Sequence, residues 1–281
     1  MTGRWTWLAP AICAQGTEMS QRHFLVCLAL LSGSALVLIL IGRYTDLDLV
    51  LADHYYNAAT AAFPGRKDWF FEFVMHRLAK ALMIALGMVS PLALLADRVS
   101  GYTLLSDDRR RAMWVVALSS VVIPVSISVS KYFSIHHCPW DLRRYGGFAP
   151  YLRIFDALPA GVSAGRCLPA GHASSALWLA SACAFWLPAR PMRGLQVFAA
   201  GLLPGLALGW AQQMRGAHFL THTLWSLWIA ALAILLLTRL VLSAASQDAK
   251  GNVNRACGLP VHEPGAILVD GALEDCVDKH A

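Results

Sequence analysis

The stretch AMWVVALSSVVIPVSISVSKYFSIHHCPWDLRR, residues 112–144, decides the fold. From Ala112 to Ser130 it carries no charge, and a run of that kind is long enough to cross a bilayer as a helix, which takes about 17–25 residues. Arg109, Arg110 and Arg111 abut it at one end, as basic residues do at a membrane boundary. At the other end Lys131, His136, His137, Cys138, Asp141, Arg143 and Arg144 crowd into a short polar segment. A span therefore opens onto a mouth rich in titratable groups. Working outward, further apolar runs occur at 24–42, 78–96, 173–188, 194–212 and 219–241. The predicted fold is an all-α integral membrane protein, six transmembrane helices in one bundle. Residues 1–20 are expected to be a weakly ordered N-terminal segment, 21–243 the membrane domain, and 244–281 a polar, poorly ordered tail. The first run follows Arg22 and His23 as in a signal peptide but lacks a small-residue cleavage site, so it reads as an uncleaved span.

Composition agrees with this reading. Of 281 residues, 57% are hydrophobic and 14% charged, against about 45–50% and 25% in an average soluble domain; the mean hydropathy is +0.52. These values exclude a soluble globular enzyme, a disordered chain and a disulfide miniprotein. The net charge of +6 does not point to nucleic acid, because the basic residues flank apolar runs rather than forming an aromatic-interleaved polar surface. With six spans, the loops at 43–77, 133–172 and 213–218 share one face, and the termini share the other with the loops at 97–111 and 189–193. Lys and Arg divide twelve to eleven between the termini face and its opposite, so the count is indecisive; the Arg109–Arg111 cluster places the termini in the cytoplasm. The eleven basic residues outside then suit an anionic substrate.

Three polar segments lie on that outer face: 131–144, PAGHAS at 169–174, and QQMRGAHFLTH at 212–222. In the second, Pro169 and Gly171 open a helix whose free N–H groups and positive dipole end form a phosphate seat. His172 in its first turn can protonate a leaving oxygen near neutral pH. In the third, Gly216 permits a tight turn, Arg215 supplies an anion-binding guanidinium, and a neutral His218 can act as a nucleophile toward phosphorus. His136 and His137 with Cys138, Cys167 and His172 are zinc-ligand types, but their spacing matches no compact metal motif, and no metal is expected. His23, His54 and His76 read as interfacial polar groups, and Lys80 and Arg239 as snorkelling side chains. The segment from Asp46 to Phe73 reads as a broken amphipathic stretch on the outer surface.

The three segments together resemble the motifs of the type 2 phosphatidic acid phosphatase family: a Lys, six residues and Arg-Pro; Pro-Ser-Gly-His; then Ser-Arg, five residues, His, three residues and Asp. Lys131 and Pro139 match, with Cys138 at the Arg position. Pro169, Gly171 and His172 match, with Ala170 for Ser. His218 matches, with Gln212 at the second Arg position and His222 at the Asp position.

The resemblance implies a six-helix lipid phosphatase of a bacterial inner membrane, with its site facing the periplasm and with no cofactor. In it His218 attacks phosphorus and His172 is the acid. Substrate phosphate is expected on Lys131, Gly171 and the local guanidinium candidates Arg143, Arg144, Arg166 and Arg215, since Cys138 and Gln212 carry no charge. Asp141 is the expected orienter of His218, with His222 one turn away as a weaker stand-in. Because the family fold brings the first two motifs together, a Cys138–Cys167 disulfide is an open expectation in an oxidising compartment. The substrate candidates are lipid A, undecaprenyl diphosphate, phosphatidylglycerol phosphate and phosphatidic acid. A phosphotransferase using the same His, and a non-catalytic phospholipid-binding or translocating relative, remain alternatives.

Overall fold

The computed structural model describes residues 20–256, so the expectations for 1–19 and 257–281 lie outside the described residues. Apolar sequence with few helix breakers gives α1 (Gln21–Tyr44), started by Ser20, whose hydroxyl accepts the His23 N–H at 3.3 Å. α2 (Leu47–Tyr55) is a short helix at the mouth. After a 3-10 turn (Pro64–Arg66), a π-helix (Phe70–Leu78) leads into α3 (Ala79–Gly87) and α4 (Val89–Val99). α5 (Asp107–Tyr132) is the span that opened the sequence reading, and α7 (Pro191–Met214) and α8 (Leu220–Ala256) close the bundle. Among the described residues no strand forms beyond isolated bridges such as Asn57–Ala62.

Among the described residues, five helices are long and apolar enough to cross a membrane: Gln21–Tyr44, Phe70–Val99, Asp107–Tyr132, Pro191–Met214 and Leu220–Leu242. The sequence reading expected six. The run at 173–188 is instead a composite, α6 (Gly171–Leu177) followed by a 3-10 helix (Trp178–Phe185). It lies at the centre of the molecule. Val116, Ile123 and Ile127 of α5, Ala173, Leu177 and Ala180 of the composite, and Ala230 and Ile234 of α8 form one buried cluster. Its small residues let neighbours approach backbone to backbone, which is how helices associate where lipid removes the usual hydrophobic drive. Gly201 of α7 shows the closeness: a Cβ there would stand 2.5 Å from the Ala180 Cα.

Around this centre the apolar side chains face outward, among them Leu30 and Val37 of α1, Leu82 of α3, Val121 and Val125 of α5 and Leu203 of α7. In lipid such exposure carries no cost, and the backbone polar groups are satisfied within the helices. The two ends differ. At one, Asp97 is fully buried and accepts from the N–H groups of Leu104 and Leu105 and from Arg110 Nε at 2.6 Å. At the other, the long loop 133–170 folds over the helix ends, tied to α1 and α2 by Arg43–Asp156, Arg153–Asp46 and a two-pronged Arg144–Asp53 pair at 2.8 and 2.6 Å. Tyr56, Phe63 and Tyr145 pack ring to ring at 5.0–5.3 Å beneath it. Beside that mouth, exposed Trp69 and Phe73 stack at 5.9 Å.

Candidate active site

Backbone hydrogen bonds draw the three polar segments into one cluster. The N–H groups of Gly165, Arg166 and Cys167 donate to the carbonyls of Ile135, Ser134 and His136 at 2.9–3.1 Å, binding the second segment to the first. Trp140 N–H donates to Gly216 O and Ala170 N–H to His222 O, both at 3.0 Å, so the third segment is held by the other two. Ser226 Oγ, one turn beyond His222, donates to Ala170 O at 2.9 Å. A disulfide joins Cys138 to Cys167, as anticipated from the sequence. Gly216 sits at φ +70°, a left-handed conformation that permits the turn between Arg215 and His218.

His218 is buried at 4% exposure. Its N–H reaches Gln212 O at 3.4 Å, its ring lies 5.7 Å from that of His222, and its Nδ1 lies 3.4 Å from Cys167 Sγ. Burial first, and then the charges of His222, Lys131 and His172, hold its pKa well below the ordinary imidazole value. The ring is therefore neutral at physiological pH, with a lone pair to offer.

Gln212 occupies the position where the motif carries Arg, and a guanidinium lies against it. Gln212 Oε1 accepts from Arg215 Nη1 at 3.1 Å. The guanidinium is thus delivered from three residues further along the chain. Both side chains are buried, and among the described residues Gln212 Nε2 and Arg215 Nε have no hydrogen-bond partner. Buried donors without acceptors are costly. Arg215 remains a cation although burial pulls its pKa below the usual guanidinium value. Lys131 Nζ would lie 3.9 Å from a Cβ at Gly171, beside the start of α6.

The remaining expected residues divide. Arg144 is committed to Asp53, and Arg143 Nε donates to Phe148 O at 3.1 Å, so both brace the outer loop. Arg166 lies over the Tyr132 ring at 4.5 Å. The backbone carbonyl of Asp141 accepts from Phe148 and Ala149 N–H at 2.9 and 2.8 Å, while among the described residues no hydrogen bond joins its carboxylate to His218. The sulfur of Cys167 stands at Nδ1 instead. Of the zinc set read from the sequence, His136, His137, Cys138, Cys167 and His172, the structure brings only the two cysteines close enough to share an ion, together with His218, and disulfide sulfurs are not the thiolates zinc binds.

Sequence reasoning passed over three residues. His76, read as interfacial, packs against His172 with ring centroids 4.1 Å apart and the rings tilted by 37°. Lys80, read as snorkelling, directs its charge at His172 along with Lys131 and Arg215. Their i, i+4 spacing on one helical face was the available signal. Asp48 is buried and accepts from Thr221 N–H at 3.0 Å and from the Thr221 hydroxyl, capping the start of α8 from a distant element. Burial raises its pKa above the usual carboxylate value, and no pattern in the sequence links it to the site.

The family described as PAP2 superfamily matches residues 110–245, a range that runs from within α5 to within α8 and includes all three polar segments. The match bears out the resemblance read from the motifs and is consistent, at a coarse level, with phosphatase-type activity on phosphate esters. No curated protein and no solved structure matches the chain.

Proposed function

From a PAP2-superfamily domain seated among membrane-crossing helices, we propose that the protein is a lipid phosphatase acting through a phosphohistidine. His218 Nε2 attacks phosphorus, the bond to the leaving oxygen breaks, and His172 gives that oxygen its proton. Water then attacks the phosphorus, the P–N bond breaks, and His172 takes the proton from water. The observation that carries this reading is the pair of unpartnered buried donors, Arg215 Nε and Gln212 Nε2, in the same cluster as a neutral His218. Such groups stabilise charge on equatorial phosphate oxygens when solvent is excluded. Lys131, Lys80 and Arg215 direct positive field at His172, and a dianionic phosphate offsets that field, so the general acid's proton is supported by the substrate's own charge.

A lipid substrate fits the setting. The cluster lies where helix ends meet the outer loop, beside exposed Trp69, Phe70 and Phe73, the residue types that anchor at a membrane interface. Arg66 stacks on Trp140 at 4.5 Å, adding a cation beside the same mouth. That much positive charge favours a head group bearing more than one phosphate charge, such as lipid A or undecaprenyl diphosphate, over phosphatidylglycerol phosphate or phosphatidic acid. The disulfide suits an oxidising compartment, hence a periplasmic mouth and cytoplasmic termini. On this reading the composite α6 and 3-10 segment is the sixth crossing. At about 1.5 Å per α residue and 2.0 Å per 3-10 residue it rises roughly 26 Å, close to the hydrocarbon thickness.

The test is phosphate release by purified protein in detergent from each of the four lipids, with chelator present and with His218→Ala in parallel. Release that survives chelator and is lost in the variant is the expected result. Binding without release from any lipid would overturn hydrolysis in favour of a transferase or a binding protein.

A further inference from the structure

A nucleophilic histidine needs its second ring nitrogen held, so that the proton sits there and the attacking nitrogen keeps its lone pair. His218 has no carboxylate in that place. The motif position that carries Asp is His222, and Asp141 is not bonded to His218. What faces Nδ1 is Cys167 Sγ at 3.4 Å. Cys167 is fully buried, its sulfur is bonded to Cys138, and its N–H is fixed on His136 O at 2.9 Å. The same sulfur stands 3.2 Å from Ala217 O, on the turn that delivers His218.

Resting on the reading that His218 is the nucleophile, we propose that the Cys138–Cys167 disulfide is its positioning group. The argument is one of proton inventory. A disulfide sulfur has no hydrogen and can only accept, so the tautomer compatible with it carries hydrogen on Nδ1 and leaves the Nε2 lone pair free. A free thiol at the same place can donate as well as accept, so it no longer holds the ring to one tautomer. Its S–H directed at Nδ1 would call for a lone pair there and move the ring hydrogen to Nε2, where it blocks attack. Cys138 stands where the motif has Arg, and its partner stands where the orienting acid is missing. One covalent bond thereby answers two departures from the family pattern.

The experiment uses full-length protein in detergent and compares wild type with Cys138→Ala, which leaves Cys167 as a thiol, and Cys138→Ala/Cys167→Ala, which leaves no sulfur. Both variants are expected to lose roughly 10–100-fold in kcat, as supporting-shell changes do, with KM altered far less and the melting temperature still showing a folded protein. Nitrogen-15 spectra of labelled histidine, with the His218 signal assigned by its disappearance in His218→Gln, are expected to show hydrogen on Nδ1 in wild type and shifted toward Nε2 in Cys138→Ala. Unchanged kcat in a verified free-thiol variant, or an unchanged His218 tautomer, would overturn the proposal. The spectra decide even if no lipid turns over. His218→Ala separates the two readings: full release in that variant sinks the nucleophile assignment itself, whereas a dead His218→Ala beside a fully active Cys138→Ala sinks only the role of the disulfide.

Discussion

At the residue scale, the site is a set of substitutions that compensate one another. Arg215 reaches Gln212 Oε1, and on the proposed function it stands in for a guanidinium that the motif places at 212. Arg215→Ala is therefore expected to lower kcat/KM by roughly 10²–10³-fold, the usual effect of removing a donor to a charged transition state. Adding Gln212→Arg to that variant should restore part of the loss, while Gln212→Arg alone, forcing two guanidinium groups together, should not improve on wild type. Steady-state kinetics on all three variants checks the set. A second expectation concerns His218, whose pKa burial holds well below the ordinary value. The unfolded chain takes up a proton near the usual imidazole pKa of about 6.5 while the folded chain does not. This contribution to stability is thus present above that pH and is lost as pH falls toward the folded pKa. Melting temperatures between pH 8 and pH 5 should fall toward acid, with a shallower slope in His218→Gln. His218, His172, Lys131, Gly171 and Arg215 were legible because residue type and spacing coincide with a chemical need. His76, Lys80 and Asp48 were not, since the contacts that recruit them join segments far apart in sequence.

At the element scale, hydropathy located the helices closely: the run at 112–132 became Asp107–Tyr132 and that at 194–212 became Pro191–Met214. For 173–188 it located the apolar run but not its form, which is α over Gly171–Leu177 and 3-10 over Trp178–Phe185. A segment rich in Ala, Ser and Gly, enclosed by α5, α7 and α8, tightens into a 3-10 helix, which the apolar pattern alone does not encode. The loop 133–170 was equally opaque, as its form rests on pairings such as Arg144–Asp53 that span 91 residues. The close seat of the composite on α7 gives an expectation at this scale. Gly201→Leu must displace the Ala180 backbone, which a Cβ at 201 would already meet at 2.5 Å, and should destabilise the protein by about 1–3 kcal/mol or more. Thermal unfolding in a fixed detergent measures it. Gly33, with nothing within 4 Å of its Cβ position, should accept Ala without loss.

At the scale of the whole molecule, the two ends of the bundle are built differently. The Asp97–Arg110 end is a compact knot of side chain to backbone bonds, whereas the opposite end gathers the long loop, the disulfide and the histidines. On the proposed function, one end anchors and the other works. The working end also carries the stacked, exposed pair Trp69 and Phe73, with Phe71 edge-on to Trp210 at 6.4 Å. On the proposed function, a catalyst so moored meets its substrate by travel within a sheet of amphiphile. In mixed micelles at constant bulk lipid, diluting the substrate with inert detergent should slow turnover in step with its mole fraction, while a water-soluble phosphate ester is spared. Trp69→Ser/Phe73→Ser should weaken that dependence. The protein would then respond to molecules per unit area, a surface density, rather than to molecules per unit volume.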